Sequence, residues 1–299
     1  MTVERIVDTV AETAVEVSGG LAGRRGYTEG ENPSGEEQLE ADVWADSLLE
    51  ERLRSIDSVA AYASEERPSV VEGDGDGRHH VAVDPLDGSS NLRSNNPMGV
   101  VFAVYDEPLP ASGRRIVAAG WVLLGPITTM TVATDGPVTE YVLERPDGDP
   151  IGGHLTDGVA GEAVVRRPVE EELTVPGEPT VYGVGGRVPD WHEDLAEFVE
   201  TLEDDRLKLR YGGAMIADVN QVLAYGGLFA YPAVEGAPDG KLRLQFEGNP
   251  VAHVVEAAGG VSSDGERSIL DVEAEEIHQR VPVHVGNADL IARLEDALD

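Results

Sequence analysis

Cysteine is absent from the 299 residues, which excludes a disulfide framework, a thiolate metal site and a cysteine nucleophile. Lysine is almost absent, with Lys208 and Lys241 as the only two. Positive charge is scarce altogether: 57 acids face 22 bases, for a net charge of −35. Such a surface repels nucleic acid and anionic lipid, so neither is an expected partner. It is also the pattern of halophilic proteins working in molar salt, where the Debye length shrinks to ~3 Å and like-charge repulsion is tolerated. The charge therefore speaks of habitat rather than activity, and each remaining lysine invites a reason. Long apolar runs are lacking too. The longest uncharged stretch, Ile116 to Thr134, is broken by Pro126, two glycines and four threonines. It reads as two buried strands joined at Gly125-Pro126, not as a membrane helix. The beginning, "MTVERIVDTVAE", has acids and no apolar signal core, so the expected location is the cytoplasm.

Helical periodicity runs over 1–17 and 35–54, and the glycine-rich "GGLAGRRGYTEGENPSG" between them is expected to be mobile. Strands are expected at 58–64, 79–84, 99–105, 115–124 and 127–133, with a Pro-rich turn at 107–114 and a Gly/Asp-rich loop at 145–155. Farther on, Val181 to Val184 reads as a strand and 190–202 as a helix. "AMIADVNQVLAYGG" reads as a helix and "LFAYP" as a strand. "GKLRLQFEGNP" reads as a strand entering a turn. "NPVAHVVEAAGG" reads as a helix with Asn249 as N-cap and Pro250 in its first position. This mixture predicts a layered α/β protein, without repeats or a linker.

The chemistry starts at "VAVDPLDGSSNL", residues 81–92. An apolar strand ends in Asp84 and Asp87. Glu65-Glu66 also follow an apolar strand, in "AYASEERP", and Glu247 ends "LRLQFE". Asp42 lies on the helix in "EEQLEADVWAD", with Glu36 in the loop before it. Carboxylates converging at strand ends need a countercharge, and an all-oxygen, thiol-free set suits Mg²⁺. For Glu36, Glu37 and Glu40, a merely solvated face explains the acids as well. Behind Asp87, the small residues Gly88, Ser89, Ser90 and Asn91 offer backbone N–H groups and hydroxyls to a phosphate. Metal-holding acids beside phosphate-holding donors describe a metal-assisted phosphate-ester hydrolase, in which paired ions ~3.5–4 Å apart would stabilise the attacking and leaving oxygens. Lys241, in "DGKLRL", is either a phosphate-binding point charge or an edge-strand lysine. Tyr211 and Tyr231 are either pocket phenols or core edges.

"DPLDGSSN" with an upstream "EE" resembles the magnesium-dependent, lithium-sensitive phosphomonoesterase superfamily. Residues 210–260, continued by "EIHQRVPV" at 276–283, resemble class I fructose-1,6-bisphosphatases; the "WDxAAG"-like segment of inositol monophosphatases is missing. The resemblance runs from about Gly35 to the end and is patchy between roughly 135 and 205. It implies a layered αβαβα sandwich in a single unit. Its metal- and phosphate-binding part would span 1–175 and its sugar-binding part 176–299. It implies Mg²⁺-dependent hydrolysis of the 1-phosphate of fructose 1,6-bisphosphate, a step of gluconeogenesis, with two or three ions per site and Mn²⁺ or Zn²⁺ as substitutes. The alternatives are sedoheptulose 1,7-bisphosphate, inositol 1-phosphate or a nucleotide 3′-phosphate as substrate, or a silent sugar-phosphate sensor.

Residue by residue, the resemblance implies that Glu65, Asp84, Asp87, Glu247 and the Leu86 carbonyl ligate metal. Glu36 would sit on a closing loop. Asp42 and Glu66 would deprotonate the attacking water in a direct in-line displacement. Asp87 to Asn91 would cradle the 1-phosphate, while Tyr211, Tyr231 and Lys241 would hold the sugar and the 6-phosphate. Arg210 resembles an arginine that reaches a neighbour's substrate, which implies a homo-oligomer, dimer or tetramer. The family's "SLNEGY"-like segment is replaced by "YGVGGRVPDW" at 182–191. Gly185 and Val188 stand for its asparagine and tyrosine, and Arg187 is the candidate replacement donor. Asp106-Glu107 stand where animal relatives have a basic AMP contact, so AMP inhibition of that type is not expected.

Overall fold

The computed structural model describes residues 2–33, 35, 37–145 and 164–298. Glu36 and most of the loop expected at 145–155 lie outside the described residues.

Helices α1 (Thr2–Gly20) and α2 (Glu40–Arg54) each bury one apolar stripe, which includes Ile6, Val10, Ala14 and Val17 on the first and Ala41, Ala45, Leu49 and Leu53 on the second. Between them β1 (Tyr27–Glu31) and β2 (Glu37–Leu39) form an antiparallel ribbon. They cover a sheet of eight strands: β3 (Val59–Ser64), β4 (Val71–Glu72), β5 (His79–Asp87), β6 (Met98–Tyr105), β7 (Ile116–Leu124), β8 (Thr128–Ala133), β9 (Thr139–Glu144) and β10 (Val165–Glu170). Their order is β10-β9-β8-β7-β6-β5-β3-β4, with β3 and β5 as the parallel pair.

A smaller sheet holds β11 (Val181–Val184), β12 (Lys208–Leu209), β13 (Gly227–Tyr231), β15 (Val261–Ser263) and β17 (Val283–Gly286), in the order β12-β11-β13-β17-β15. A short pair, β14 (Leu242–Arg243) with β16 (Arg280–Val281), lies apart. The remaining helices are α3 (Glu193–Asp204), α4 (Met215–Tyr225), α5 (Asn249–Ala257) and α6 (Ala288–Leu298).

Strand alternation sorts the core into layers. In β6, Val100, Phe102 and Val104 pack toward α1 and α2. Their neighbours Val101, Ala103 and Tyr105 pack toward α4 and α5. Both faces are apolar because both are covered. Phe229, Val283 and Val285 of the smaller sheet share the α4/α5 layer, while Tyr182, Leu228 and Ala230 face α3 and α6. The result is the expected αβαβα sandwich.

Four local expectations are corrected. The second helix begins at Glu40, not 35, because residues 37–39 pair with 27–31. For the same reason part of the glycine-rich stretch is strand. The segment 240–250, expected as a strand entering a turn, is extended only over Leu242–Arg243, and the turn comes earlier than expected, as a π-helical turn at Leu244–Gly248. That turn runs directly into α5, so Asn249 is a buried helical residue whose Nδ2 donates to the Tyr105 hydroxyl at 3.3 Å, not an N-cap. The apolar run 116–134 is indeed two strands, β7 and β8, paired antiparallel.

Candidate active site

The parallel pairing of β3 and β5 explains why acids distant in sequence meet. Parallel strands end on the same side, and Ser64 lies opposite Val83. Glu65 and Glu66 therefore leave the sheet beside Asp84, and the Glu65 N–H donates to the Val83 carbonyl at 3.1 Å. Glu247 arrives on the π-helical turn before α5. Carboxylate oxygens of Glu65, Asp84 and Glu247 lie within 4.8 Å of one another, all buried. Burial first, and the neighbouring carboxylates second, push Asp84 and Glu247 well above the usual carboxylate range. Asp87 is pushed up to about 7, chiefly by burial, against the Ile216 N–H that donates to its Oδ2 at 3.0 Å. That bond ties Asp87 to the N-terminal turn of α4.

Arg243 donates one cationic contact to the cluster, 3.1 Å from Glu65, and its backbone N–H donates to Glu247 Oε2 at 2.6 Å. The sequence reading missed it: alternation in "LRLQF" points Arg243 outward, whereas the short strand and the π turn bury it at 2% exposure. Among the described residues the four buried carboxylates outnumber the cations of the cavity, Arg243 and Lys241, and the side chains that converge offer oxygen donors. This fits a hard divalent cation.

These acids share a cavity of about 450 Å³ with Asp42, Glu66, Leu86, Gly88, Ser89, Ser90, Tyr211, Tyr231 and Lys241. Asp42 lies in the first turn of α2, where its Oδ2 accepts the Leu39 N–H at 2.8 Å. Gln38 donates to Glu66 Oε2. Glu66 is pushed up to about 8, first by burial and then by the charges of Asp42, Glu65 and Asp46. Gly88 turns left-handed at φ +74° into the short helical turn Ser89–Leu92. A Cβ there would run into Ala214. At the far end, burial first and Tyr231 second raise the Tyr211 hydroxyl.

Asn91 is a correction. It is buried and off the cavity wall. Its N–H donates to the Gly88 carbonyl at 2.8 Å, and its side-chain amide donates to the carbonyls of Pro97 and Gly212, both at 2.9 Å. It has no donor left for a phosphate. Arg187 and Arg210 are exposed and also off the wall. Asp218, on α4, was not foreseen: it lines the cavity and is pushed up to about 6 by burial, against backbone N–H groups that donate to it. In a chain with 57 acids nothing in its sequence context set it apart.

A five-layer sandwich with an acidic cavity at the ends of parallel strands is a sugar-phosphatase architecture. The family model described as fructose-1-6-bisphosphatase, N-terminal domain, matches residues 3–153, and that for the C-terminal domain matches 175–299. The chain belongs to the fructose-1,6-bisphosphatase family. It is 57% identical to the class 1 fructose-1,6-bisphosphatase of Natronomonas pharaonis, over 99% of this chain and 98% of that one. Among solved structures, the holo form of Leishmania major fructose-1,6-bisphosphatase superposes with a TM-score of 0.86 at 26% identity, covering 98% of this chain and 93% of that one. A putative sedoheptulose-1,7 bisphosphatase from Toxoplasma gondii gives 0.82 at 26% identity, covering 99% and 94%.

Proposed function

We propose that the chain hydrolyses the 1-phosphate of fructose 1,6-bisphosphate, giving fructose 6-phosphate and inorganic phosphate in gluconeogenesis. The observation that carries this reading is the approach of Glu65, Asp84 and Glu247 within 4.8 Å, in a cavity that also holds the 88–90 turn. Glu65, Asp84, Asp87, Glu247 and the Leu86 carbonyl would hold Mg²⁺, with Mn²⁺ or Zn²⁺ as substitutes. When bound, the ions neutralise the cluster and stabilise negative charge on the phosphate and leaving oxygen.

The chain's own groups do the rest. Glu66 and Asp42 take the proton from the attacking water, which displaces O1 in line. A base whose affinity for protons is raised toward neutrality suits that task. Gln38 fixes the orientation of Glu66. Backbone N–H groups from Gly88 to Ser90 hold the phosphate, and Tyr211, Tyr231 and Lys241 hold the sugar and distal phosphate. Arg187, exposed and off the cavity wall, would have to swing inward to replace the missing distal contacts, Arg210 would serve a neighbouring subunit in a homo-oligomer, and Glu36 would add a further acid for the metals. The acidic surface and the homology fit a cytoplasmic enzyme of a salt-rich cell. Sedoheptulose 1,7-bisphosphate is a second reading, favoured by Gly185. A Cβ there would meet the Tyr231 ring, so the distal end differs from the asparagine-bearing pattern.

The test is phosphate release in molar KCl with Mg²⁺ from fructose 1,6-bisphosphate, sedoheptulose 1,7-bisphosphate and inositol 1-phosphate. The first should be turned over fastest, and Asp87→Asn should lose on the order of 10³-fold in kcat, within the range that charge-stabilising groups supply. Faster release from inositol 1-phosphate, or an Asp87→Asn variant within a few-fold of the parent, would overturn the reading.

A further inference from the structure

The two ends of the cavity belong to distant parts of the chain. The reacting end is the 84–90 segment, and the distal end includes Tyr211. Between them runs Tyr211-Gly212-Gly213, an exposed stretch with Gly213 at φ +80°. An exposed, glycine-rich stretch has little intrinsic reason to hold one position. Yet the Gly212 peptide groups are gripped from two sides. Asn91 Nδ2 donates to the Gly212 carbonyl at 2.9 Å, and the Gly212 N–H donates to Asp218 Oδ1 at 2.7 Å.

Each grip comes from a rigid base. Asn91 ends the phosphate-side turn and is held further by the Pro97 carbonyl at 2.9 Å. Asp218 stands in the first turn of α4, whose Ile216 N–H is tied to Asp87. Both side chains are buried, Asn91 at 7% and Asp218 at 5% exposure. Among the described residues Asp218 Oδ2 meets no hydrogen-bond partner, so the carboxylate is buried there for the sake of its other oxygen. Placing a carboxylate in such a spot is costly unless it does something.

We propose that Asn91 and Asp218 form a clamp on the Gly212 backbone that fixes the distance between the reacting phosphate site and the Tyr211 end. Both are positioning residues. Asn91 lies off the cavity wall, and Asp218 lines it with one carboxylate oxygen held by the Gly212 N–H; together they set the length of sugar bisphosphate that the cavity accepts. The inference rests on the bisphosphatase reading of the same cavity. It assigns a new task to an asparagine that the sequence suggested as a phosphate ligand, and a task to an aspartate that had none.

The experiment compares fructose 1,6-bisphosphate with fructose 1-phosphate, which has the same reacting end and no distal phosphate, on parent, Asn91→Ala, Asn91→Asp, Asp218→Ala and Asp218→Asn. Hydrogen bonds of this kind, made to a charged or buried partner, correspond to roughly 10-fold or more in binding. The clamp variants Asn91→Ala, Asn91→Asp and Asp218→Ala should raise KM for the bisphosphate by ~10-fold, with kcat changed less than ~3-fold and kcat/KM for fructose 1-phosphate changed less than ~3-fold. Asn91→Asp is the same size but cannot donate, so it should resemble Asn91→Ala. Asp218→Asn keeps an acceptor for the Gly212 N–H and should recover most of the loss. Asn91→Ala combined with Asp218→Ala should cost less than the product of the two single effects.

A merely structural role would instead lower both substrates in parallel, together with the melting temperature, and that result overturns the proposal. So does a parent-like KM in both alanine variants. If one variant does not fold, the other still reports on the clamp. If the parent itself turns over both substrates equally, the bisphosphatase reading fails, which differs from a parent that discriminates and variants that still do.

Discussion

Burial and three neighbouring acids keep the Asp84 proton bound to well above the usual carboxylate range. The sign of the consequence follows. The metal-free fold binds this proton more tightly than the unfolded chain does, so Asp84 opposes folding at neutral pH and the penalty fades as pH falls. Asp84→Asn should therefore raise the melting temperature in chelator by ~2–6 °C, on the scale of a few kcal/mol in a chain of this size. Adding Mg²⁺ should reverse the order, because only the parent gains from binding. Calorimetry in EDTA and in Mg²⁺ checks both arms. His284 behaves oppositely. Burial pushes its imidazole down to about 4 from 6.5, so it stays neutral in the fold. Its contribution is complete above pH 6.5 and is lost as pH falls toward 4, by about 3 kcal/mol. Melting curves of His284→Leu should lose that part of the acid slope between pH 6.5 and 4. An unchanged slope would clear His284 of any part in acid unfolding.

At the level of elements, the site depends on where strands stop and how the next segment turns. Gly88 shows this most directly. Gly88→Ala must place a Cβ against Ala214 and hold a left-handed φ, which costs about 1–2 kcal/mol before the clash is counted. It should separate the phosphate turn from α4, cutting kcat/KM for the bisphosphate by at least ~100-fold while the far-ultraviolet circular dichroism stays close to the parent's. Parent-like kinetics would mean that the contact between turn and helix is dispensable.

The same elements show what the sequence made legible. Asp84, Asp87, Glu65 and Glu247 stood out because each follows an apolar run, and a charge at that point contradicts the run. A layered α/β protein was readable because helices and strands alternate with distinct periods, whereas the αβαβα order of the layers came only with the family resemblance. The start of α2 was not readable, since Glu37 and Gln38 are good helix formers and only the pairing of 37–39 with 27–31 makes them strand. Nor was the π turn at Leu244–Gly248, because its alternating letters match a strand and only packing against the site decides otherwise. Asn91 was misjudged because small polar residues serve equally well as phosphate donors and as internal turn locks.

Across the whole molecule the net charge of −35 dominates. At 0.1 M salt a Debye length of ~10 Å lets carboxylates on one face repel one another, and at 1 M the ~3 Å length removes most of that. The melting temperature should climb by at least ~10 °C between 0.1 and 3 M KCl, measured with Mg²⁺ held constant. A flat profile would show that surface repulsion is already offset by ion pairs such as Arg67–Asp46 and Arg114–Asp271. The seam through the cavity also has an outcome of its own. Asp87 is bonded to Ile216, and Glu65 to Arg243. A protease that severed the backbone anywhere between 145 and 164 would thus yield two pieces, the first carrying Glu65, Asp84 and Asp87 and the second Glu247. Neither piece could process a sugar ester by itself, and mixing them would restore turnover only to the extent that they reunite.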